Sequence, residues 1–198
     1  DSSIIANPFL ENPLVMACPP DHPFANKKNL TLEDLRDESF IFREPGSGTR
    51  MVMERLLEKV AVEYIAKNWQ KEDLDRLERI VSQIKNGYQR EKNSKDKISD
   101  KYLKEYNELN VKFHFEILNI YDNSLFINTY KNFEGKHLRY THISFSNDKE
   151  RFLSASKEHI ELFELIKNRE AEKAVKKSLN HKFNAEEKII SNLKEFLD

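Results

Sequence analysis

No proline follows Pro45 in this chain of 198 residues, and after Gly48 only Gly87 and Gly135 occur. Proline lacks the backbone donor a helix needs and clashes with the preceding turn, and glycine costs a helix roughly 1 kcal/mol against alanine. A stretch of about 150 residues without the first and nearly without the second is free to be helical throughout. The first quarter differs, since Pro8, Pro13, Pro19, Pro20, Pro23 and Pro45 all fall there. Charge changes at the same place. Of 33 basic and 34 acidic residues, four and eight lie in residues 1–49, which leaves 29 and 26 for the remainder. Two compositions share one chain, and the expected division is a short α/β piece over 1–52 and a helical domain over 53–198.

Periodicity supports the second part. Met53, Leu56, Leu57, Val60, Ala61, Tyr64 and Ile65 recur at steps of three and four and predict a first helix with one apolar stripe. Leu74, Leu77, Val81, Ile84 and Tyr88 predict a second, followed by the polar run QREKNSKDKISDK as a solvated helix end and loop. Ser99 is a fair N-cap for a third helix, in which Leu103, Tyr106, Asn110, Phe113, His114, Ile117, Leu118 and Tyr121 share a face. Asp122 to Ser124 form a turn. A fourth helix is expected from Leu125 to about Phe145, a fifth from Asn147 and Asp148 to about Asn168, and a sixth over most of 170–197. The fold class is all-α, an antiparallel bundle of about six helices with short connections.

The first quarter reads as α/β material: PLVMACPP is a short apolar run ended by prolines, TLEDLRDE a capped short helix, and SFIFRE a strand before the turn PGSG. So little material cannot close a sheet covered on both faces. Cys18, the one cysteine, has no internal partner and reads as a small buried hydrophobe. His22 reads as a turn residue. A formal charge of −1 gives no general field for a nucleic acid. No apolar run approaches the roughly 18 residues of a membrane span, and the N-terminal sequence lacks a signal-peptide plan. A cytoplasmic protein is expected.

Residues 5–57, with NPLV, PPDHP, FIFREPGSGTR and the spacing between them, resemble part of the effector-binding domain of LysR-type transcriptional regulators. The likeness covers less than half of that domain and leaves Ser47 and Thr49 as its only polar candidates. From about residue 53 the chain resembles another family, the FCD ligand-sensing domain of GntR-type regulators of the FadR group. The segments that carry the likeness are RLLEKVAVEYIA, NVKFHFEILNIYDNSLF and KEHIELFELIKNREAEKAVKKSLNH, with 22 residues from His159 to His181. Two positions depart from the family pattern: Glu54 stands where arginine is common, and Asn110 where an aspartate ligand is usual.

Asn110 and His114 lie one helical turn apart, a spacing that aims two donors at one spot. His159 shares a face with Leu162, Phe163 and Ile166, and His181 shares one with the small residues Ala174, Ser178 and Ala185. Any one histidine on an apolar face is more often a hydrogen-bonded core group than a ligand. As a set with the family spacing, Asn110, His114, His159 and His181 imply a divalent-metal site, with zinc or nickel foremost among the cations imidazole suits. The neutral amide of Asn110 implies weaker binding than an aspartate gives. The resemblance further implies a small carboxylate effector, with Arg139 and Arg151 as candidates for its far end, a homodimer, and DNA contact only through a winged-helix module that has no counterpart here. His137 and His142 are expected at a surface or dimer face. The function expected is effector sensing in a bacterial transcriptional regulator and not catalysis. One rival is a metal-dependent hydrolase, which needs a general base; Glu116 and Glu158 flank the ligands in sequence but are expected to point away from them. The other is a structural helical bundle or chimera without a functional site.

Overall fold

The computed structural model describes residues 15–31, 34–35, 37–41, 47–131, 145 and 148–195. The chain divides into two compact units, Asp1–Leu35 and Arg36–Asp198.

The described part of the first unit is a run of tight turns. His22 N donates to Pro19 O at 3.0 Å, Ala25 N to His22 O at 2.9 Å and Lys27 N to Phe24 O at 3.0 Å. His22 is the turn residue expected, its Nδ1 accepting from Phe24 N at 3.2 Å. Thr31 and Asp34 cap one another, Thr31 N donating to Asp34 Oδ2 at 2.9 Å and Asp34 N to Thr31 Oγ1 at 3.3 Å; the helix expected around them lies partly outside the described residues. Cys18 is exposed, not buried, because the turns that follow the proline pair leave its side chain in solvent. Residues 15–31 and 39–41 contain no strand, and 42–44 lie outside the described residues.

In the second unit six helices follow in order among the described residues: α1 (Gly48–Asn68), α2 (Lys71–Asn93), α3 (Asp100–Tyr121), α4 (Ser124–Lys131), α5 (Lys149–Lys167) and α6 (Ala171–Glu195). The expected all-α bundle is the fold observed. Its ends follow local chemistry. Ser99 Oγ accepts from Tyr102 N at 3.3 Å to start α3, and Asp148 Oδ1 accepts from Arg151 N at 2.8 Å to start α5. Each satisfies a backbone donor that the first helical turn leaves free. Asp122, at φ 51°, turns the chain out of α3, and Arg169, at φ 59°, turns it out of α5. The fourth helix is described only to Lys131, so its expected continuation, with Arg139, His137 and His142, lies outside the described residues.

Connections of two or three residues make α1 with α2, and α5 with α6, antiparallel neighbours. α1 packs on α6, α3 and α5, while α2 packs on α3 and α5. The turns at one end are tied together: Trp69 Nε1 donates to Ile166 O at 3.1 Å, and Arg169 lies over the Trp69 ring while donating to Lys67 O at 2.6 Å and to Trp69 O at 3.3 Å. The core face of α1 is Leu57, Ala61, Val62, Ile65 and Ala66, with Leu56 and Tyr64 exposed. The expected stripe was therefore rotated, because α1 carries apolar residues on both sides and periodicity alone does not choose between them. Tyr106 and Phe152, with rings 4.6 Å apart, fill the space between α3 and α5 below the histidines. No helix among the described residues is long and apolar enough to cross a membrane.

Candidate metal centre

His114 on α3, His159 on α5 and His181 on α6 are all buried, and each offers one ring nitrogen within 4.8 Å of the others'. His114 Nε2 and His159 Nε2 stand 3.1 Å apart. His181 lies nearly parallel to His114, ring centroids 5.3 Å apart, and 4.4 Å from His159. Asn110 is buried one turn before His114 on α3. Three elements distant in sequence thus present imidazoles to one point, as their placement on apolar faces implied.

A second layer fixes how each ring faces. Glu58 on α1 is buried, and its Oε1 accepts from His114 Nδ1 at 3.0 Å and from Ser178 Oγ at 2.9 Å, while Lys182 Nζ lies 2.6 Å from its Oε2. Burial alone pushes the Glu58 carboxyl up, but His114 and Lys182 outweigh it and hold the group well below the usual carboxylate range. Glu158 does the same for His181: its Oε2 accepts from His181 Nδ1 at 2.6 Å. Asn184 Nδ2 at 2.9 Å, Ser154 Oγ at 3.4 Å and Arg151 Nη1 at 3.2 Å complete its partners. Burial raises Glu158 as well, yet His181 and Arg151 bring it down to about 2. His159 Nδ1 faces the Tyr106 hydroxyl at 3.3 Å, and the ring is also hydrogen-bonded to the Ala155 backbone. Burial, then the neighbouring His181 and His114, holds His159 well below its ordinary value, so its ring is neutral. Burial also lowers His181, against the pull of Glu158.

The tautomers follow from these partners. A carboxylate accepts and does not donate, so His114 and His181 each carry a proton on Nδ1 and turn Nε2 inward. A carboxylate or carbonyl behind each imidazole is the arrangement that orients metal-binding histidines. The donor set fits a borderline divalent cation: three imidazoles, with the Asn110 amide beside them.

Two expectations change here. Glu158 does not point away from the centre; it is the residue that aims His181, because position 158 on α5 turns toward α6. Glu116 does point away, pairing with Arg76 Nε at 2.5 Å. Glu58 is a residue that sequence reasoning missed. Its signal was an acid inside the apolar run of α1, followed by Ala61, Val62 and Ile65. Arg151 lies against Glu158, while Arg139 falls outside the described residues.

Three imidazoles converge inside an all-helical bundle, and comparison with known sequences gives its family. The FCD domain profile matches residues 51–183, and the chain belongs to the FCD domain family. The LysR substrate binding domain profile matches residues 1–83. Among individual proteins, the chain is similar to the RuBisCO operon transcriptional regulator of Allochromatium vinosum, 52% identical over 50 residues, which cover 25% of this chain and 17% of that protein. It is similar also to the transcriptional regulator CysL of Bacillus subtilis, 35% identical over 57 residues, 29% of this chain and 19% of that one. The regulator CbbR of Xanthobacter flavus is 48% identical over 50 residues, 25% of this chain and 15% of its own length. The chain therefore spans less than a fifth of these relatives, and each is named as a regulator of transcription, none as an enzyme.

Proposed function

We propose that residues 53–198 are the effector-sensing and dimerising domain of a bacterial transcriptional regulator, with residues 1–52 an incomplete LysR-like piece. In this reading Asn110, His114, His159 and His181 hold a divalent metal, zinc or nickel. The metal supplies a Lewis-acidic anchor for the oxygen of a small carboxylate. Glu58, Glu158 and the Ala155 backbone keep the ring protons on the outer nitrogens, and Tyr106, Phe113 and Phe152 exclude water from one side. Arg151, and Arg139 on the expected fourth helix, are the cations for the effector. Occupancy then shifts the equilibrium between two arrangements of the dimer. DNA contact belongs to a winged-helix module that these residues do not include.

The observation that carries this reading is the 3.1 Å approach of His114 Nε2 to His159 Nε2, with acceptors behind both rings. Two inward lone pairs at that distance repel unless a proton or a cation lies between them, and a cation also satisfies His181. The hydrolase reading is weakened by the same geometry. Glu158, the acid nearest the cluster on α5, is occupied by His181, Asn184, Ser154 and Arg151 and stays ionised down to about pH 2, so it makes a poor proton acceptor for catalysis. The test is elemental analysis of the full chain purified without added metal, beside His159→Ala. About one metal per native chain and background levels in the folded variant are expected. Equal metal content in the two would leave these histidines as ordinary core residues.

A further inference from the structure

On α3, Asn110 and His114 are buried, whereas Glu105, Glu108 and Lys112 lie on the opposite face and are exposed. Between that outer face and α2 runs a groove of about 480 Å³, whose walls include Gly87, Arg90, Tyr102, Glu105, Glu108 and Leu109. A space of this size suits one small ligand. Its floor holds an unmet polar group. Tyr102 is 6% exposed, and its hydroxyl is buried with no hydrogen-bond partner among the described residues. That hydroxyl occupies the place where a Cβ of residue 87 would stand, so it fills the notch that Gly87 leaves in the wall of α2. Burial pushes the phenol up to about 12, so at neutral pH it keeps its proton and can donate it. A buried donor left unmet is costly, and this one points to a ligand.

Opposite charges flank the hydroxyl without meeting each other. Arg90 lies over the Tyr102 ring, its Cζ 3.7 Å from the ring centroid, and its Nε donates to Glu91 Oε1 at 3.0 Å. The stack and the bond fix the guanidinium plane, while Nη1 and Nη2 have no hydrogen-bond partner among the described residues. Glu105 forms no ion pair among the described residues, yet its charge and that of Arg90 both act on the Tyr102 phenol. Glu108, one turn further along the same face, is unpaired as well. A lone anion drawn to Arg90 is repelled by Glu105, and a lone cation drawn to Glu105 is repelled by Arg90. A ligand with both signs on neighbouring atoms satisfies both.

We propose that the groove between α2 and α3 binds a free α-amino acid, with its carboxylate on Arg90 and the Tyr102 hydroxyl, its ammonium on Glu105 and Glu108, and its side chain along Leu109. The α-carbon sets the two charged groups side by side, as Arg90 and Glu105 are set about one hydroxyl. The site needs no metal and is independent of the histidine centre, so it gives the domain a second small-molecule input.

The test is calorimetric titration of the full chain with the common L-amino acids, one at a time, and then with the N-acetylated and C-amidated forms of whichever binds. At least one amino acid is expected to saturate below about 10 mM, and blocking either end is expected to weaken it about tenfold or more, the worth of a charged hydrogen bond. Tyr102→Phe removes only the unmet hydroxyl. It is expected to keep or raise the unfolding midpoint while lowering affinity about tenfold, whereas a purely structural tyrosine would move stability and not affinity. Glu105→Gln, at an exposed position, is expected to fold and to lower affinity by a similar factor, which places binding in the groove and not at the histidines. No saturable binding by any amino acid, a blocked form as tight as the free one, or native affinity in either folded variant overturns the proposal. If Tyr102→Phe does not fold, Glu105→Gln decides alone.

Discussion

Glu58→Gln tests whether the second layer, and not the histidines alone, makes the centre. The substitution keeps shape and an oxygen for the His114 Nδ1 proton but removes the charge that His114 at 3.0 Å and Lys182 at 2.6 Å both face. Loss of an outer-layer carboxylate costs metal affinity about 10- to 100-fold, or about 1.4 to 2.7 kcal/mol. Stability of the metal-free chain suffers separately, since Lys182 loses its counter-ion in a largely buried place. Breaking such a pair costs about 3–5 kcal/mol when fully buried, and Lys182, still 15% exposed, puts the expectation at or below the lower end. Competition against a chromophoric chelator at pH 7 measures the first quantity, and urea unfolding without metal the second. Glu116→Gln is the control: it is also an acid on the helix of His114, but its partner is Arg76 on α2, and it should leave metal affinity unchanged. A folded Glu58→Gln protein with native zinc affinity would refute the argument that this carboxylate prepares His114 for a cation.

Asn110→Asp should move two readings in opposite directions, raising zinc affinity by about tenfold or more through an anionic donor while lowering metal-free stability by burying an unpaired charge; higher or unchanged stability without metal would contradict the second half. Acid should destabilise the metal-free domain. His159 is held below the ordinary imidazole value of 6.5, so the unfolded chain takes up a proton that the folded chain refuses; stability is complete above about pH 6.5 and falls below it by up to about 1.4 kcal/mol per pH unit. Glu158, at about 2 against an ordinary 4.5, adds a loss of the same sign below pH 4.5, and unfolding midpoints flat from pH 7 to 4 would count against both. Gly87→Ala places a methyl carbon 1.2 Å from the Tyr102 hydroxyl oxygen, so overpacking of about 1–3 kcal/mol should outweigh the roughly 1 kcal/mol that alanine gives a helix, and a stabilised variant would show that Tyr102 moves freely. Residues 50–198 alone should give a cooperative helical melt, because their apolar faces pair among themselves; a fragment unfolded at every temperature would refute that independence.

The helices were legible where sequence leaves one solution. The faces of α2 and α3 hold a single phase, and Ser99 and Asp148 cap as their positions imply. α1 was legible as a helix but not in its orientation, since Leu56 and Tyr64 look as suited to a core as Leu57 and Ile65 do. At the centre, spacing and resemblance found the three imidazoles, which lie on apolar faces where a polar residue stands out. The acids behind them were missed or misdirected for the opposite reason. Glu58 and Glu158 are charged residues in a chain that is 34% charged, and only tertiary neighbours on α6, Lys182 for one and His181 and Asn184 for the other, make their burial tolerable. Periodicity contains no term for a partner more than 20 residues away.

The clasp formed by Trp69 and Arg169 makes the long helices behave as the arms of a pair of tongs. Its bonds join the α1–α2 turn to the α5–α6 turn, so this end of the bundle is the pivot. Glu58, His159 and His181 sit eight to ten residues along their helices from it, about 15 Å at the rise of an α-helix. α1 continues to Gly48, 21 residues in all, for about 30 Å from the pivot. Any widening at the level of the histidines is therefore roughly doubled at the start of α1, where the chain enters the bundle.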